Sequence, residues 1–191
     1  MANLITELSQ FYDFVLLDSG VIAGKSYGII ETINGTRPNN FYPISAAINE
    51  LEFLLSNFSH YHNIFTTENI TRELKTLSSK IKTDNFELVR LRAALRRTIQ
   101  NLPIYDHPYR VDFSGITKNN VSDGDYSIVL ALFYYITNPE NATKRAVVLT
   151  RDEDIQNIYA DILSSIPEPY KLDILKRTKI YNKRKGRHYD F

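Results

Sequence analysis

The sequence predicts an α/β fold: a three-layer α/β/α sandwich around a central, mostly parallel sheet. Two observations lead there. Short runs rich in β-branched and aromatic residues alternate with longer stretches whose apolar residues recur at helical spacing. Strands separated by helices pair in parallel, because each helix carries the chain back across a face of the sheet. The second observation is size. A chain of 191 residues, 43% of them hydrophobic, buries one real core and is too short for two comfortable ones. The expectation is a single domain over residues 1–182, with a helical and loop insertion at about 80–120, followed by a basic tail over 183–191.

Residues 11–18 read as the first strand, apolar up to Leu17 and ending at Asp18-Ser19-Gly20. The next segment, 20–42, carries Gly20, Gly24, Gly28, Gly35 and Pro38, which predicts loop with a short helix or hairpin. Ile44, Ala47, Ile48, Leu51, Leu54, Leu55 and Phe58 recur at helical spacing and predict a helix over 44–57. A short strand is expected at 63–66, and Thr66 or Thr67 then caps a helix carrying Ile70, Glu73, Leu74 and Leu77. Residues 84–102 form an amphipathic helix: Leu88, Leu91, Leu95, Ile99 and Leu102 make one stripe, and Arg90, Arg92, Arg96 and Arg97 take the remaining surface. Residues 103–120 read as loop. Ser122 starts a helix that is apolar nearly all round and so should be buried. A strand at 146–150, a helix over 152–164 broken by Pro167 and Pro169, and a last strand at 179–181 complete the chain.

Composition excludes several classes. With no cysteine there are no disulfides and no thiolate metal sites. The first residues lack the basic and apolar regions of a signal peptide, and no apolar run reaches the ~18 residues of a membrane span. A cytoplasmic chain without a membrane partner is expected. The net charge of +1 does not announce a polyanion binder. Its distribution says more, since basic residues gather at Arg90, Arg92, Arg96 and Arg97 and again at Lys183, Arg184, Lys185 and Arg187. Basic surface beside an acidic point suits a polyanion held against a bound metal.

That acidic point is the main functional signal. Asp18 ends the run Phe14 to Leu17, Glu73 lies one helical stretch after Ile64-Phe65, Asp125 opens the apolar helix, and Asp152 follows Ala146 to Thr150. In a parallel sheet, strand ends and the starts of the following helices share the edge where ligands bind. Four carboxylates aimed there repel one another, by about 3 kcal/mol per pair at ~5 Å and an effective dielectric of ~20. A divalent cation removes that cost.

Each acid also has a purely structural explanation. Ser122-x-x-Asp125 fits a capping box and Thr150-x-x-Glu153 another, with Asp152 in the first turn favoured by the helix dipole. Asp18 fits a turn before Ser19-Gly20, and Glu73 a solvated helix position. The functional reading rests on the set. Gly20 to Ser26 resembles a phosphate loop but has one residue too few between its glycines. Gly20 also stands where a phosphoaspartate enzyme of the haloacid-dehalogenase type needs a second Asp. His60, His62, His107 and His188 are too scattered for a zinc site. Tyr105, Tyr109 and Phe113 suit base stacking, although burial explains them more simply.

Four segments together resemble a PIN domain, a small α/β/α nuclease fold: Phe14 to Ser19, Thr66 to Leu74, Val121 to Leu132 and Val147 to Asp154. The resemblance implies a strand order 3-2-1-4-5 and cleavage of single-stranded RNA that depends on Mg²⁺ or Mn²⁺, leaving a 3′-hydroxyl and a 5′-phosphate. It implies that Asp18, Glu73, Asp125 and Asp152 are the catalytic, metal-binding acids, supported by Ser19 and Thr150. Asp123 stands two residues before Asp125 and Asp154 two after Asp152, so each is an alternative ligand. The chain differs from small toxin-like members by its longer 20–42 segment and the insertion at 80–120. Two rival functions remain beside the ribonuclease: a PIN-like scaffold that binds RNA or protein without cleaving, and the toxin of a toxin–antitoxin pair. A homodimer or a protein partner is left open.

Overall fold

The most apolar short runs of the chain form the middle of the sheet. A computed structural model describes residues 2–34, 42–82, 84–105, 122–182 and 187–189. β1 (Phe14–Leu17) and β3 (Ala146–Thr150) are buried at every position, so both faces of the sheet are covered there. β2 (Ile64–Phe65) flanks β1, and β4 (Thr178–Asn182) flanks β3. These four strands are all parallel. β5 (Arg187–Tyr189) adds an antiparallel edge, giving the order β2-β1-β3-β4-β5.

One further pairing extends the other edge. The Thr66 amide donates to the Pro103 carbonyl and the Tyr105 amide to the Thr66 carbonyl, both at 2.9 Å, a parallel bridge between Thr66 and Ile104. Counting residues 103–105 as a rudimentary third strand, the parallel part runs 3-2-1-4-5 in chain order. The loop expected over 103–120 is therefore corrected at its start; residues 106–121, Tyr109 and Phe113 among them, lie outside the described residues.

Eight α-helices are described. α1 (Ala2–Phe11) was not foreseen, and the expected strand over 11–18 shortens to 14–17. The Asn63 amide donates to the Ser9 and Tyr12 carbonyls, at 2.8 and 2.7 Å, and so fixes the turn from α1 into β1. α2 (Ser19–Ile33) replaces the loop expected from residue 20. Its glycines at 20, 24 and 28 fall on one side of the helix, where large groups pack: a Cβ on Gly24 would meet the Arg151 guanidinium at 1.9 Å, and one on Gly28 the Tyr42 ring at 3.1 Å. Close approach, not a turn, is what those glycines serve.

α3 (Ile44–His60), α4 (Glu68–Lys80) and α5 (Phe86–Asn101) lie close to their expected bounds. Thr67, rather than Thr66, caps α4 by accepting from the Ile70 amide, and Asn85 caps α5. α5 packs on both α3 and α4, so much of the expected insertion belongs to the core. α6 (Asp123–Thr137) is buried along most of its length and lies against β1, β3 and α7 (Asp154–Ser164). α8 (Tyr170–Arg177) follows the two prolines that had been read only as a break. Among the described residues, no helix is long and apolar enough to cross a membrane.

The Phe14 ring stacks on Tyr135 of α6 at 4.0 Å between centroids, with Tyr105 edge-on at 4.7 Å and Phe65 at 5.2 Å. Tyr105 is thus committed to packing rather than to stacking bases. Phe14 joins the central strand, the buried helix and the bridge at 103–105, so its truncation leaves a cavity no neighbour can fill. Phe14→Ala is expected to destabilise the protein by about 3–5 kcal/mol, read as a lower urea midpoint at unchanged slope.

Candidate functional site

Asp18 is the first residue past β1 and occupies the N-cap position of α2. Its backbone carbonyl accepts from the Val21 and Ile22 amides, but its side chain caps nothing. The carboxylate is instead held from two sides: Ser19 Oγ donates to Oδ1 at 3.3 Å and Thr150 Oγ1 to Oδ2 at 3.1 Å. Thr150 reaches it because β1 and β3 pair in register, with Leu17 beside Leu149. The same hydroxyl accepts from the Asp152 amide at 2.8 Å, so Thr150 also fixes the turn that carries Asp152. Burial is the main force pushing the Asp18 carboxyl up, to about 6, with Asp152 and Glu73 adding repulsion and the Thr150 hydrogen bond opposing.

Asp125 sits at the third position of α6. The expected capping box is present: Asp125 N donates to Ser122 Oγ at 3.1 Å, and Asp125 Oδ2 accepts from the Ser122 amide at 3.2 Å and its hydroxyl at 2.9 Å. The structural and functional readings of this residue coexist, since one carboxylate oxygen caps while the side chain still borders the cleft. Burial, then the Asp18 charge, pushes its carboxyl up to about 7. Asp123 is exposed and faces a neighbouring groove, not the cleft.

Glu73 reaches the site across α6. A Cβ on Gly124 would meet Glu73 Oε1 at 2.2 Å, so the carboxylate lies directly on that glycine. The two helices are tied beneath it by the Thr67 and Ser127 hydroxyls, 2.6 Å apart and buried, while Ser127 also donates to the Gly124 carbonyl. The fourth acid departs from expectation. α7 begins at Asp154, its N-cap Glu153 makes no side-chain cap, and the box expected between Thr150 and Glu153 does not form. Asp152 Oδ1 accepts from the Asp154 amide at 3.0 Å instead, closing a tight turn, and both acids border the cleft.

Asp18, Glu73, Asp125 and Asp152 thus line one cleft of about 360 Å³ at the carboxyl edge of the sheet. Sequence reasoning missed part of its wall. Gly20, Gly24, Tyr27 and Glu31 make a stripe of α2 along it, hidden by the loop expectation. The Tyr27 hydroxyl bonds to Ser19 and is pushed up to about 12, first by burial and then by Glu73, Asp18 and Asp125. Arg151 is the only base among the described lining residues, and it pairs at 3.5 Å with the buried Glu50 of α3.

None of the four arginines of α5 borders this cleft. Arg90 and Arg97 line a shallow groove against α3 and Arg96 one against α4, while Arg92 is half-buried with its Nε covered. Lys183, Arg184 and Lys185 lie outside the described residues; the backbone of Arg187 pairs with Asn182 in β5, so the chain returns to the sheet there.

The donors are hard carboxylate oxygens, the chemistry that Mg²⁺ and Mn²⁺ prefer. Among the described residues, no three His, Asp or Glu side chains stand as a ready metal cluster. Mg²⁺ does not need such a cluster: it binds one or two carboxylates and keeps several waters. Asp18 and Asp125, both buried and mutually repelling, fit as the direct ligands; Glu73 and Asp152 border the same space. No known family model matches the chain, and no curated protein or solved structure matches it.

Two outcomes follow from this geometry. Gly124→Ala adds a methyl where the flexible end of Glu73 lies, so the carboxylate swings away while the helix gains about 0.4–1 kcal/mol from alanine. A melting temperature that holds or rises, together with a smaller upward shift on adding Mn²⁺, is expected. The second concerns pH. Asp18 and Asp125 titrate at about 6 and about 7 when folded, against 3.8 ordinarily. The folded state therefore holds more protons between about pH 4 and 7, and their contribution to stability falls as pH rises through that window. Asp125→Asn is expected to flatten this fall in cation-free protein, measured by urea unfolding at a series of pH values.

Proposed function

We propose that this protein is a metal-dependent ribonuclease that hydrolyses phosphodiester bonds of single-stranded RNA, with a PIN-like fold. The observation that carries the reading is the charge balance of the cleft. Four acids line it, the buried Asp18 and Asp125, the half-buried Glu73 and the exposed Asp152, while Arg151, the one base among the described lining residues, is engaged by Glu50. Carboxylates in that state favour a divalent cation over a protonated rest state. The PIN resemblance adds the substrate class and the 3′-hydroxyl and 5′-phosphate products.

In this reading the chain supplies placement rather than proton transfer by His or Lys. Ser19, Thr150 and the Arg151 backbone amide fix the Asp18 carboxylate at the edge of the cleft. Ser122 turns Asp125 so that Oδ1 faces away from the cap. Glu73, for which Gly124 leaves room, and Asp152, set by the turn from Thr150, would bind the cation through water or orient the attacking water. A divalent cation, when bound, lowers the pKa of the attacking water and screens the phosphate charge. Tyr27, still protonated at neutral pH, remains a hydrogen-bond donor on the cleft wall.

The test is cleavage of end-labelled single-stranded RNA with Mg²⁺ or Mn²⁺ and with chelator. Wild type should cleave only with the cation, and Asp18→Asn should lose activity altogether. Thr150→Val removes the hydroxyl behind Asp18 at nearly constant shape; a fall of about 10–100-fold in activity or metal affinity is expected. RNA binding without cation-dependent cleavage would favour the scaffold instead.

A further inference from the structure

We infer that a single strand of the nucleic-acid substrate leaves the cleft over Glu73 and Gly124 and lies along α4, its phosphates held by Arg72, Lys75 and Arg96. This rests on the nuclease reading and adds a substrate path to it. A second groove, about 250 Å³, adjoins the cleft and shares Glu73 with it. Its α4 wall is the stripe Asn69, Arg72, Glu73 and Thr76, spaced as one helix face. A third groove, about 320 Å³, lies between α4 and α5 and brings Lys75 beside Arg96; it shares no lining residue with the other two. All three hollows have α4 residues in their walls, and Lys75 and Ser79 stand three residues from Arg72 and Thr76 on that helix.

The charges along this path change sign with distance from the cleft. Glu73 and Asp123 stand at its inner end, Arg72 comes next, and Lys75 and Arg96 lie beyond. A polyanion meets the acids Glu73 and Asp123 at the end nearest the proposed cation and the positive charges of Arg72, Lys75 and Arg96 farther out. Arg72 is already partnered, by Glu68 at 3.3 Å and Asn69 Oδ1 at 3.2 Å, but that pair is largely exposed. Exposed pairs contribute little, so the guanidinium exchanges Glu68 for a phosphate oxygen at small cost. Asn69 and Thr76 add neutral donors to the same wall. The competing basic surface has no α4 wall: Arg90 and Arg97 face α3 beside Ile48 and Glu52, and no residue of α4 lines their groove.

The experiment measures affinity for a labelled single-stranded oligoribonucleotide against salt concentration, in Mg²⁺ and in an Asp18→Asn background that stops cleavage. For single strands each lost phosphate contact flattens the salt dependence by about 0.7. Arg72→Ala/Lys75→Ala/Arg96→Ala should lower the slope by about 2, and Arg90→Ala/Arg97→Ala should leave it unchanged. Melting temperatures verify that both variants fold. An unchanged slope in the triple variant, or a larger loss in Arg90→Ala/Arg97→Ala, overturns the path while leaving the nuclease reading intact. Failure of the background protein to bind RNA even at low salt removes both.

Discussion

The whole site depends on the burial of Asp18. A carboxylate that is 4% exposed at the end of β1 is held against its own desolvation by two hydroxyls and the Arg151 backbone amide rather than by a cationic side chain. Everything else in the cleft is arranged around that condition. The register of β1 on β3 places Thr150 beside it, and the N-cap position gives its backbone to α2 while leaving the side chain free. Asp125 raises the tension by standing near enough for the two charges to repel. The fold thus concentrates negative potential where a parallel sheet opens its strand ends to ligand.

The supports of the acids are small hydroxyls and glycines, and this choice has a reason. Lysine or arginine beside the carboxylates would neutralise them and compete with an incoming cation. Serine and threonine orient an oxygen without cancelling its charge, since they donate one hydrogen and leave the formal balance untouched. Thr150, Ser19 and Ser122 act this way on the acids, and Thr67 with Ser127 acts on the helices that carry Glu73 and Asp125. Gly124 completes the arrangement by clearing the volume that the Glu73 carboxylate fills.

What could be read from the sequence follows from how local each signal was. β1, β3, α3, α4, α5 and α6 were legible because periodicity and caps are short-range properties, and Ser122 to Asp125 announced its box in four letters. The acids were legible as a set because strand ends and helix starts share an edge in this topology. α2 was not, since its glycines read as flexibility when two of them answer tertiary contacts 14 or more residues away: Gly28 against Tyr42, Gly24 against Arg151. Arg151 carried no signal at all; its partner Glu50 is a hundred residues distant and looks like any helical glutamate. The arginines of α5 were legible as a group but not by direction, because one turn of helix decides whether a side chain faces α3 or α4.

Arg151 explains how an acidic cleft is kept acidic. It stands between Thr150 and Asp152, and a guanidinium there would pair with the nearest carboxylate unless held elsewhere. The kink of α2 at Ala23 and the missing Cβ at Gly24 open a channel along which it lies, and at its end waits Glu50, itself buried on α3. A buried ion pair gains little net stability over apolar packing, but either partner left alone costs about 3–5 kcal/mol. The pairing therefore opposes a swing of Arg151 toward Asp152 or Asp18, since that movement gives up its contact with the buried Glu50. The same bond ties α3 to the turn after β3, so a helix packed mainly on other helices takes part in the charge balance of the strand ends. Cleft acidity and core packing are secured by one contact, which is why the positive residue nearest the acids serves to leave them uncompensated.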